Sequence, residues 1–119
     1  MTGRILIVDD NPIMGGLLKD FLESRGYEVL HMESPVEALS KIEAESFNMV
    51  IMDYSMPDMT GIELTRLIRQ IKPSLPIIGM SMHSVGKYFI EAGADRFMFK
   101  PFELKELKDV VDNYLKAGG

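Results

Sequence analysis

The feature that most constrains this 119-residue chain is a repeated alternation of short apolar runs with longer segments of helical period. Five such alternations can be read, and this pattern is typical of βαβ units around a parallel sheet. The first run, Arg4 to Val8, is rich in Ile, Leu and Val without alternation, as expected of a strand that is buried on both faces. The predicted strands are Arg4–Val8, Glu28–Met32, Met49–Met52, Pro76–Met80 and Ala94–Phe99. The fold class is therefore predicted to be α/β.

The first helix has clear start and stop signals. Asn11 is a predicted N-cap, Pro12 occupies the first helical position, and Gly26 follows the end near Ser24. Its apolar residues are expected to form one buried stripe, and they are Ile13, Met14, Leu17, Leu18, Phe21 and Leu22. The pair Gly15-Gly16 weakens this helix by up to about 1 kcal/mol per residue relative to Ala, so either another feature compensates or the first turns of the helix are mobile.

The remaining helices follow the other strands. Ser34-Pro35-Val36-Glu37 is a capping-box pattern that begins a helix through about Ala44. A third helix follows the loop 54–60 and is ended by Pro73. The segment 82–92 has a broken helical period, and only residues 88–92 favour a turn or two of helix. A last helix follows Lys100-Pro101, and Gly118-Gly119 is expected to be a frayed end.

Length and charge exclude several classes of protein. Residues 1–119 suit a single domain, and a net charge of −5 without clustered Lys or Arg argues against direct contact with nucleic acid. The chain has no cysteine, which excludes disulfides and thiolate metal sites and is compatible with a cytoplasmic location. Nothing approaches the roughly 20 apolar residues of a membrane span, so no membrane insertion is expected.

Acidic and basic residues follow the predicted strands at one edge of the sheet. Asp9, Asp10, Asp53, Ser81 and Lys100 all stand at or just past the carboxyl ends of strands, where open α/β sheets bind ligands. Carboxylates a few ångströms apart repel each other unless a cation or a raised pKa compensates. Oxygen ligands without His or Cys favour a hard cation, and a few carboxylates with water suit Mg²⁺.

The same edge carries groups that could hold a phosphoryl group. Lys100 offers a positive charge and Ser81 a neutral hydroxyl donor. Together with the acidic residues, they predict a phosphoryl cradle assembled from separate loops, in which Mg²⁺ lowers the charge barrier to transfer.

These motifs together resemble the receiver domain of response regulators in two-component signalling, over essentially the whole chain. The matching segments are Ile7-Val8-Asp9-Asp10-Asn11, Met52 to Gly61, Ser81, Gly93-Ala94-Asp95 and Phe99-Lys100-Pro101-Phe102. The resemblance implies a flavodoxin-like three-layer sandwich of five βα units, with a five-stranded parallel sheet in the order 2-1-3-4-5. A stand-alone receiver is expected.

The resemblance also assigns roles to individual residues. Asp53 would be the phosphoacceptor, Asp10 a direct Mg²⁺ ligand, Asp9 a second acidic contributor, and the Ser55 backbone carbonyl a further ligand. Asp53 itself would contact the metal as well. The resemblance places Ser81 and Phe97 at the family's switch positions and implies a cis bond before Pro101, which is inexpensive only for X-Pro.

The resemblance implies partners as well. The phosphoryl donor would be a sensor histidine kinase or a phosphotransfer protein, and phosphorylation would switch the binding of a downstream protein. The chain would be a monomer or weak dimer. Only self-phosphorylation and self-dephosphorylation are expected, with no external substrate.

Two features depart from the family pattern. The interval from Ser81 to Lys100 is about three residues short, close to one helical turn, which predicts a truncated or irregular fourth helix between Met82 and Glu91. Met82 also stands where the family usually has a small residue, so it is expected to narrow access to the pocket. Tyr54 and Met56 beside Asp53 could shape the same access, although packing in the turn explains them equally well.

Plainer interpretations remain for some of these residues. Phe97 could be ordinary core packing, and His31 and His83 are predicted to be polar surface residues. Two other functions also remain open. One is a hydrolase with an aspartyl-phosphate intermediate, although Ser55 stands where such enzymes usually carry a second Asp. The other is a pseudo-receiver that binds a partner without phosphorylation.

Overall fold

The computed structural model describes residues 3–115 of the chain. The strands are β1 Arg4–Val8, β2 Glu28–Met32, β3 Met49–Asp53, β4 Ile77–Ser81 and β5 Arg96–Phe99. The helices are α1 Pro12–Ser24, α2 Pro35–Ala44, α3 Gly61–Ile71, α4 Gly86–Ala92 and α5 Leu104–Tyr114. The ten elements alternate as predicted, with ends that differ by at most two residues in the strands. The predicted frayed end at Gly118-Gly119 lies outside the described residues.

The five strands form one parallel sheet in the order β2-β1-β3-β4-β5, which confirms the predicted fold class. Side chains from α1 and α5 pack on one face of this sheet, and side chains from α2, α3 and α4 pack on the other. The result is three layers with two apolar cores, one on each side of the sheet.

The central strands explain why the sheet lies between two helical layers. All five residues of β3 and all five of β4 are buried, and Ile5, Leu6 and Ile7 of β1 have no exposed surface. Burying such a side chain stabilises the fold by about 1.5–3 kcal/mol relative to an exposed position. Successive side chains point to opposite faces, so uninterrupted apolar runs require a helical layer on each face.

Helix α1 begins as predicted but presents a different face to the core. The Asn11 side chain accepts hydrogen bonds from the backbone N–H groups of Ile13 and Met14. The predicted burial of Ile13 and Leu17 is wrong, because their exposed fractions are 82% and 49%. The buried face includes Gly15, and at 100° per residue Leu17 lies about 160° away from it. The sequence pattern alone does not show that a glycine can face the core.

Helix α4 is short, which confirms the predicted truncation. It has seven residues, no side chain caps its N-terminus, and it ends at Gly93, whose φ is 117°. One buried aromatic, Phe89, attaches it to the sheet over Gly79 of β4. A Cβ atom on Gly79 would lie 2.4 Å from the Phe89 ring. The position of α4 therefore depends on the absence of a side chain at this point of the sheet.

We expect Gly79→Ala to lower the free energy of unfolding by about 2 kcal/mol, because an added methyl group overpacks the core against Phe89. The measurement is urea unfolding followed by circular dichroism. Gly16→Ala is the matched control, since nothing lies within 4 Å of a Cβ built there. The control should raise the same free energy by about 0.5–1 kcal/mol through helix propensity. Equal stability of Gly79→Ala and the parent protein would contradict the packing argument.

Candidate functional site

Three carboxylates meet at the carboxyl edge of the sheet. Asp9 follows β1 directly and Asp53 is the last residue of β3, and these strands are neighbours with Val8 opposite Met52. Asp10 is the next residue along the chain and is exposed. One oxygen from each of Asp9, Asp10 and Asp53 lies within 4.8 Å of the others. The parallel topology thus brings the predicted acidic residues together.

Lys100 reaches the same cluster from the end of β5. Its Nζ atom lies 2.6 Å from Oδ1 of Asp53 and 3.7 Å from Oδ2 of Asp9. The peptide bond that joins it to Pro101 is cis, which confirms that prediction. The Lys100 side chain is 16% exposed, so solvent screens its pairing with Asp53 far less than it screens a surface ion pair.

Asp9 is a buried carboxylate whose charged form is disfavoured by its surroundings. Its side chain is almost fully buried, Oδ1 accepts a hydrogen bond from the Asn11 backbone N–H, and Oδ2 is buried without a hydrogen-bond partner among residues 3–115. Burial raises the pKa of Asp9 above its ordinary value, and the charges of Asp53 and Asp10 raise it further. The Asn11 hydrogen bond and Lys100 oppose this shift without cancelling it.

The donor set fits a divalent cation. A buried carboxylate oxygen without a hydrogen-bond partner, beside two further carboxylates, is an arrangement in which a cation would supply the missing interaction. All three side chains offer oxygen, and Asp10 lies open to solvent, which suits a metal that keeps several of its waters. Binding of Mg²⁺ is therefore chemically consistent with the residues present.

Ser81 completes the site from β4, the neighbour of β3. Its side chain is buried, and its Oγ atom accepts a hydrogen bond from the His83 backbone N–H at 2.9 Å. A hydroxyl can accept and donate at once, so the Ser81 hydrogen stays available for an oxygen placed beside Asp53. Lys100 and Ser81 lie on adjacent strand ends, and the Lys100 backbone N–H donates to the Ser81 carbonyl.

The other predicted site residues lie around this centre. Ser55 is exposed in the loop after β3, and the neighbouring Tyr54 carbonyl accepts from the Gly61 N–H. The Tyr54 ring packs edge-on against Phe89 and against the imidazole of His83, which is exposed as predicted. Met56 is half-buried and packs against the apolar core between the sheet and helices α2, α3 and α4.

Met82 and Phe97 lie farther out. Met82 is 72% exposed and borders an apolar groove shared with Lys100 and Pro101. Phe97 is half-buried between Phe89 and Phe99, with ring centroids 5.7 and 5.1 Å away. The space beside Phe97 is closed by the backbone of α4, since a Cβ on Gly86 would lie 2.7 Å from its ring. The switch role of Phe97 stays a prediction.

One residue of the site was not predicted from the sequence. His31 is half-buried, and its Nε2 atom lies 2.9 Å from the backbone carbonyl oxygen of Asp9, so its interpretation as polar surface is wrong. It packs beside Gly15 of α1. The available signal was the glycine pair in α1, which is costly in a helix and therefore marks a position where a packing reason can be sought.

Comparison with known proteins identifies a family. Residues 5–112 match the family model described as response regulator receiver domain. The sensor histidine kinase RcsC of Salmonella typhi is 35% identical over 113 residues, which cover 92% of this chain and 12% of that protein. The chain thus spans a small part of the length of this relative.

Two solved structures share the fold over nearly the whole chain. A CheY-like response regulator receiver domain protein from Methanospirillum hungatei has a TM-score of 0.92 and 33% identity, covering 98% of this chain and 95% of that one. The response regulator TrrA of Thermotoga maritima, in complex with Mg²⁺ and BeF, has a TM-score of 0.89 and 36% identity. That match covers 97% of this chain and 100% of the TrrA chain.

Helix lengths bear on the membrane expectation. Within residues 3–115, none of the helices combines the length and the apolar composition that a bilayer crossing requires.

Proposed function

This chain belongs to the response regulator receiver domain family, the phosphoacceptor modules of two-component signalling, and we propose that Asp53 is the residue that accepts the phosphoryl group. Receiver domains exchange phosphoryl groups with sensor histidine kinases or phosphotransfer proteins. Receiver domains typically bind a divalent cation in an acidic pocket, and we propose that Asp9, Asp10 and Asp53 form this pocket here and that the cation is Mg²⁺. The exposed backbone carbonyl of Ser55 is proposed as a further ligand.

The contact between Lys100 and Asp53 carries this proposal. An ammonium 2.6 Å from Oδ1 holds the carboxylate in one orientation by a charge-assisted contact. The same ammonium lies 3.7 Å from Oδ2 of Asp9, so Lys100 is shared between two carboxylates. A phosphoryl group that reaches Asp53 is therefore close to the positive charge of Lys100.

The proposed transfer is an in-line displacement. One Oδ atom of Asp53 forms a bond to phosphorus while the P–N bond of a phosphohistidine or phosphoramidate donor breaks, and the leaving nitrogen takes up a proton. A bound divalent cation would offset the negative charge that accumulates between the carboxylates and the phosphoryl oxygens. Lys100 stabilises one phosphoryl oxygen by charge, and Ser81 donates its hydroxyl hydrogen to another.

The test of this proposal is mass spectrometry after incubation with phosphoramidate, in the presence of Mg²⁺ or of a chelator. We expect one added phosphoryl group, mapped to Asp53 after borohydride reduction of the acyl phosphate, and its loss with the chelator. An unchanged mass in Mg²⁺ would favour the pseudo-receiver alternative. A phosphoryl group on another residue would overturn the assignment of Asp53.

The hydrolase alternative makes a separate prediction. The family is a phosphoacceptor family, and we propose that this chain turns over no external substrate. Ser55 offers a hydroxyl where a hydrolase of this type would need a carboxylic acid to protonate the leaving group. Release of phosphate or alcohol from an external phosphoester by the purified protein, at a rate above that of Asp53→Asn, would support the hydrolase instead.

Phosphorylation is proposed to switch the binding of a downstream protein through Ser81 and Phe97. Ser81 is near enough to the acceptor strand to follow a new phosphoryl group, since β3 and β4 pair up to Asp53 and Met80. Phe97 lies one strand farther on and contacts the Phe89 ring of α4. Phe99 lies opposite Ser81 in the pairing of β4 with β5, and its ring contacts that of Phe97, so we propose that a change at Ser81 reaches α4 through these two aromatic residues.

Met82 allows a smaller prediction. We expect Met82→Ala to increase the rate of labelling by phosphoramidate about threefold. The exposed Met82 side chain would lose conformational entropy when a donor enters beside it, and alanine removes this cost. The measurement is the initial rate of phosphorylation in saturating Mg²⁺. Tyr88→Ala, which truncates another exposed side chain, on α4, is the control. Equal rates for Met82→Ala and the parent protein would remove Met82 from the pocket-access group.

A further inference from the structure

The imidazole of His31 contacts the backbone of the acidic pair, and we propose that His31 is a positioning residue for the cation pocket. It acts through the carbonyl group that joins Asp9 to Asp10 and does not itself touch the cation or Asp53. This inference rests on the proposed function, because it concerns the pocket that the proposed transfer uses.

The contact is defined by the pairing of two strands. His31 of β2 lies opposite Ile7 of β1, and the Asp9 N–H donates to the Met32 carbonyl at 3.1 Å, which extends the pairing past the end of β1. The Nε2 atom of His31 then lies 2.9 Å from the Asp9 carbonyl oxygen. A carbonyl oxygen only accepts hydrogen bonds, so Nε2 must carry the hydrogen.

Helix α1 leaves room for this imidazole through a glycine. A Cβ on Gly15 would lie 2.0 Å from Nε2 of His31, whereas nothing lies within 4 Å of a Cβ on Gly16. The two adjacent glycines therefore differ in role. Gly15 is the buried position where α1 meets the ring, whereas Gly16 makes no such contact.

The hydrogen bond fixes a peptide plane at the pocket. The Asp9 carbonyl belongs to the peptide between Asp9 and Asp10, so its direction sets where the Asp10 chain leaves the strand. Asp9 is held at three points, by Met32 at its N–H, by His31 at its carbonyl and by Asn11 at Oδ1. Loss of the His31 contact removes the only one of these three that acts on the link between the two carboxylates.

The test measures Mg²⁺ affinity by isothermal titration calorimetry on variants of the 119-residue chain. His31→Leu should weaken binding about tenfold, the lower end of what loss of an outer contact costs a metal site. His31→Gln should bind within about threefold of the parent protein, because the Gln Nε2 amide can donate from nearly the same position. Leu and Gln have similar volumes, so the comparison separates hydrogen bonding from packing.

Gly15→Ala provides an independent variant. Its methyl group must displace the His31 ring, so Mg²⁺ binding should weaken as it does in His31→Leu, while Gly16→Ala should bind like the parent protein. Thermal unfolding of each metal-free variant shows whether the fold is retained. Comparison of the fitted dissociation constants is confined to variants that unfold cooperatively, and His31→Gln provides the comparison if Gly15→Ala does not.

The outcomes separate this inference from the proposed function. If the parent protein binds Mg²⁺ and is labelled on Asp53, but His31→Leu binds Mg²⁺ equally well, the inference is wrong and the proposed function stands. If His31→Gln is as weak as His31→Leu, the residue acts by packing alone and the inference is also wrong. If the parent protein is not labelled at all, the proposed function fails first.

Discussion

Asp53→Asn should reduce phosphorylation by phosphoramidate at least about a thousandfold, because an amide offers no ionised oxygen for attack on phosphorus. The change is nearly isosteric, so the fold should persist, and the Lys100 ammonium can still contact the amide oxygen. The measurement is the fraction of protein with one added phosphoryl group after a fixed incubation with Mg²⁺.

Asp58→Asn is the matched control for this variant. It removes the same charge from the loop between β3 and α3, and Asp58 is exposed with a φ of 71°, a conformation that Asn tolerates well. We expect Asp58→Asn to be labelled within about twofold of the parent rate, since an exposed charge is largely screened. Substantial labelling of Asp53→Asn would transfer the acceptor role to another residue.

Asp9→Asn should have opposite effects on stability and on metal binding. In the metal-free protein, it should raise the free energy of unfolding at pH 7 by about 1–2 kcal/mol, because a buried charge beside two other carboxylates is removed. The Asn side-chain oxygen can still accept the hydrogen bond from Asn11. The same change should weaken Mg²⁺ binding at least about tenfold, since the pocket loses a carboxylate.

The pH dependence of this effect follows from the pKa of Asp9. Burial raises that pKa above its ordinary value of 3.8, so the folded metal-free protein holds the proton more tightly than the unfolded chain does. The stability contributed by protonated Asp9 is full below pH 3.8 and is lost as the pH rises through the higher folded-state pKa. The advantage of Asp9→Asn over the parent protein should therefore vanish near pH 3.8 and be largest near neutral pH.

Chemical unfolding at several pH values, with and without Mg²⁺, measures both effects of Asp9→Asn. Asp109→Asn is the control for net charge, because Asp109 is exposed on α5 and pairs with Lys105 at 3.8 Å. That variant should change neither the metal-free stability nor the response to Mg²⁺ by more than about 0.5 kcal/mol. A loss of metal-free stability in Asp9→Asn at pH 7 would show that Lys100 outweighs the repulsion.

The strands and the acidic residues were predictable because each signal is local. An apolar run that ends at Asp9 or Asp53 predicts a buried strand, and the residues at its carboxyl end lie at the edge of the sheet where ligands bind. The short fourth helix was predicted because the interval from Ser81 to Lys100 is shorter than is usual in the family. In the structure this helix has seven residues. A parallel sheet then places these residues together without further information.

The contact of His31 could not be read from the sequence, because three distant segments create it. The register between β1 and β2 places the ring beside Asp9, and the rotation of α1 places Gly15 over the ring. Periodicity shows which residues of α1 are apolar, but a glycine carries no polarity signal, so the predicted face included Leu18 and Leu22 correctly and was displaced away from Gly15. The exposure of Ile13 and Leu17 is the direct consequence.

The pairing of Gly15 with His31 also imposes a direction on how this sequence can change. A side chain can enter at Gly15 only if the imidazole is displaced, because its first carbon would overlap the ring. His31 can be exchanged first, and Gly15 is then free to become a better helix former. Descendants of this sequence should therefore lose the histidine before the glycine, and a lineage that keeps His31 should keep Gly15 with it.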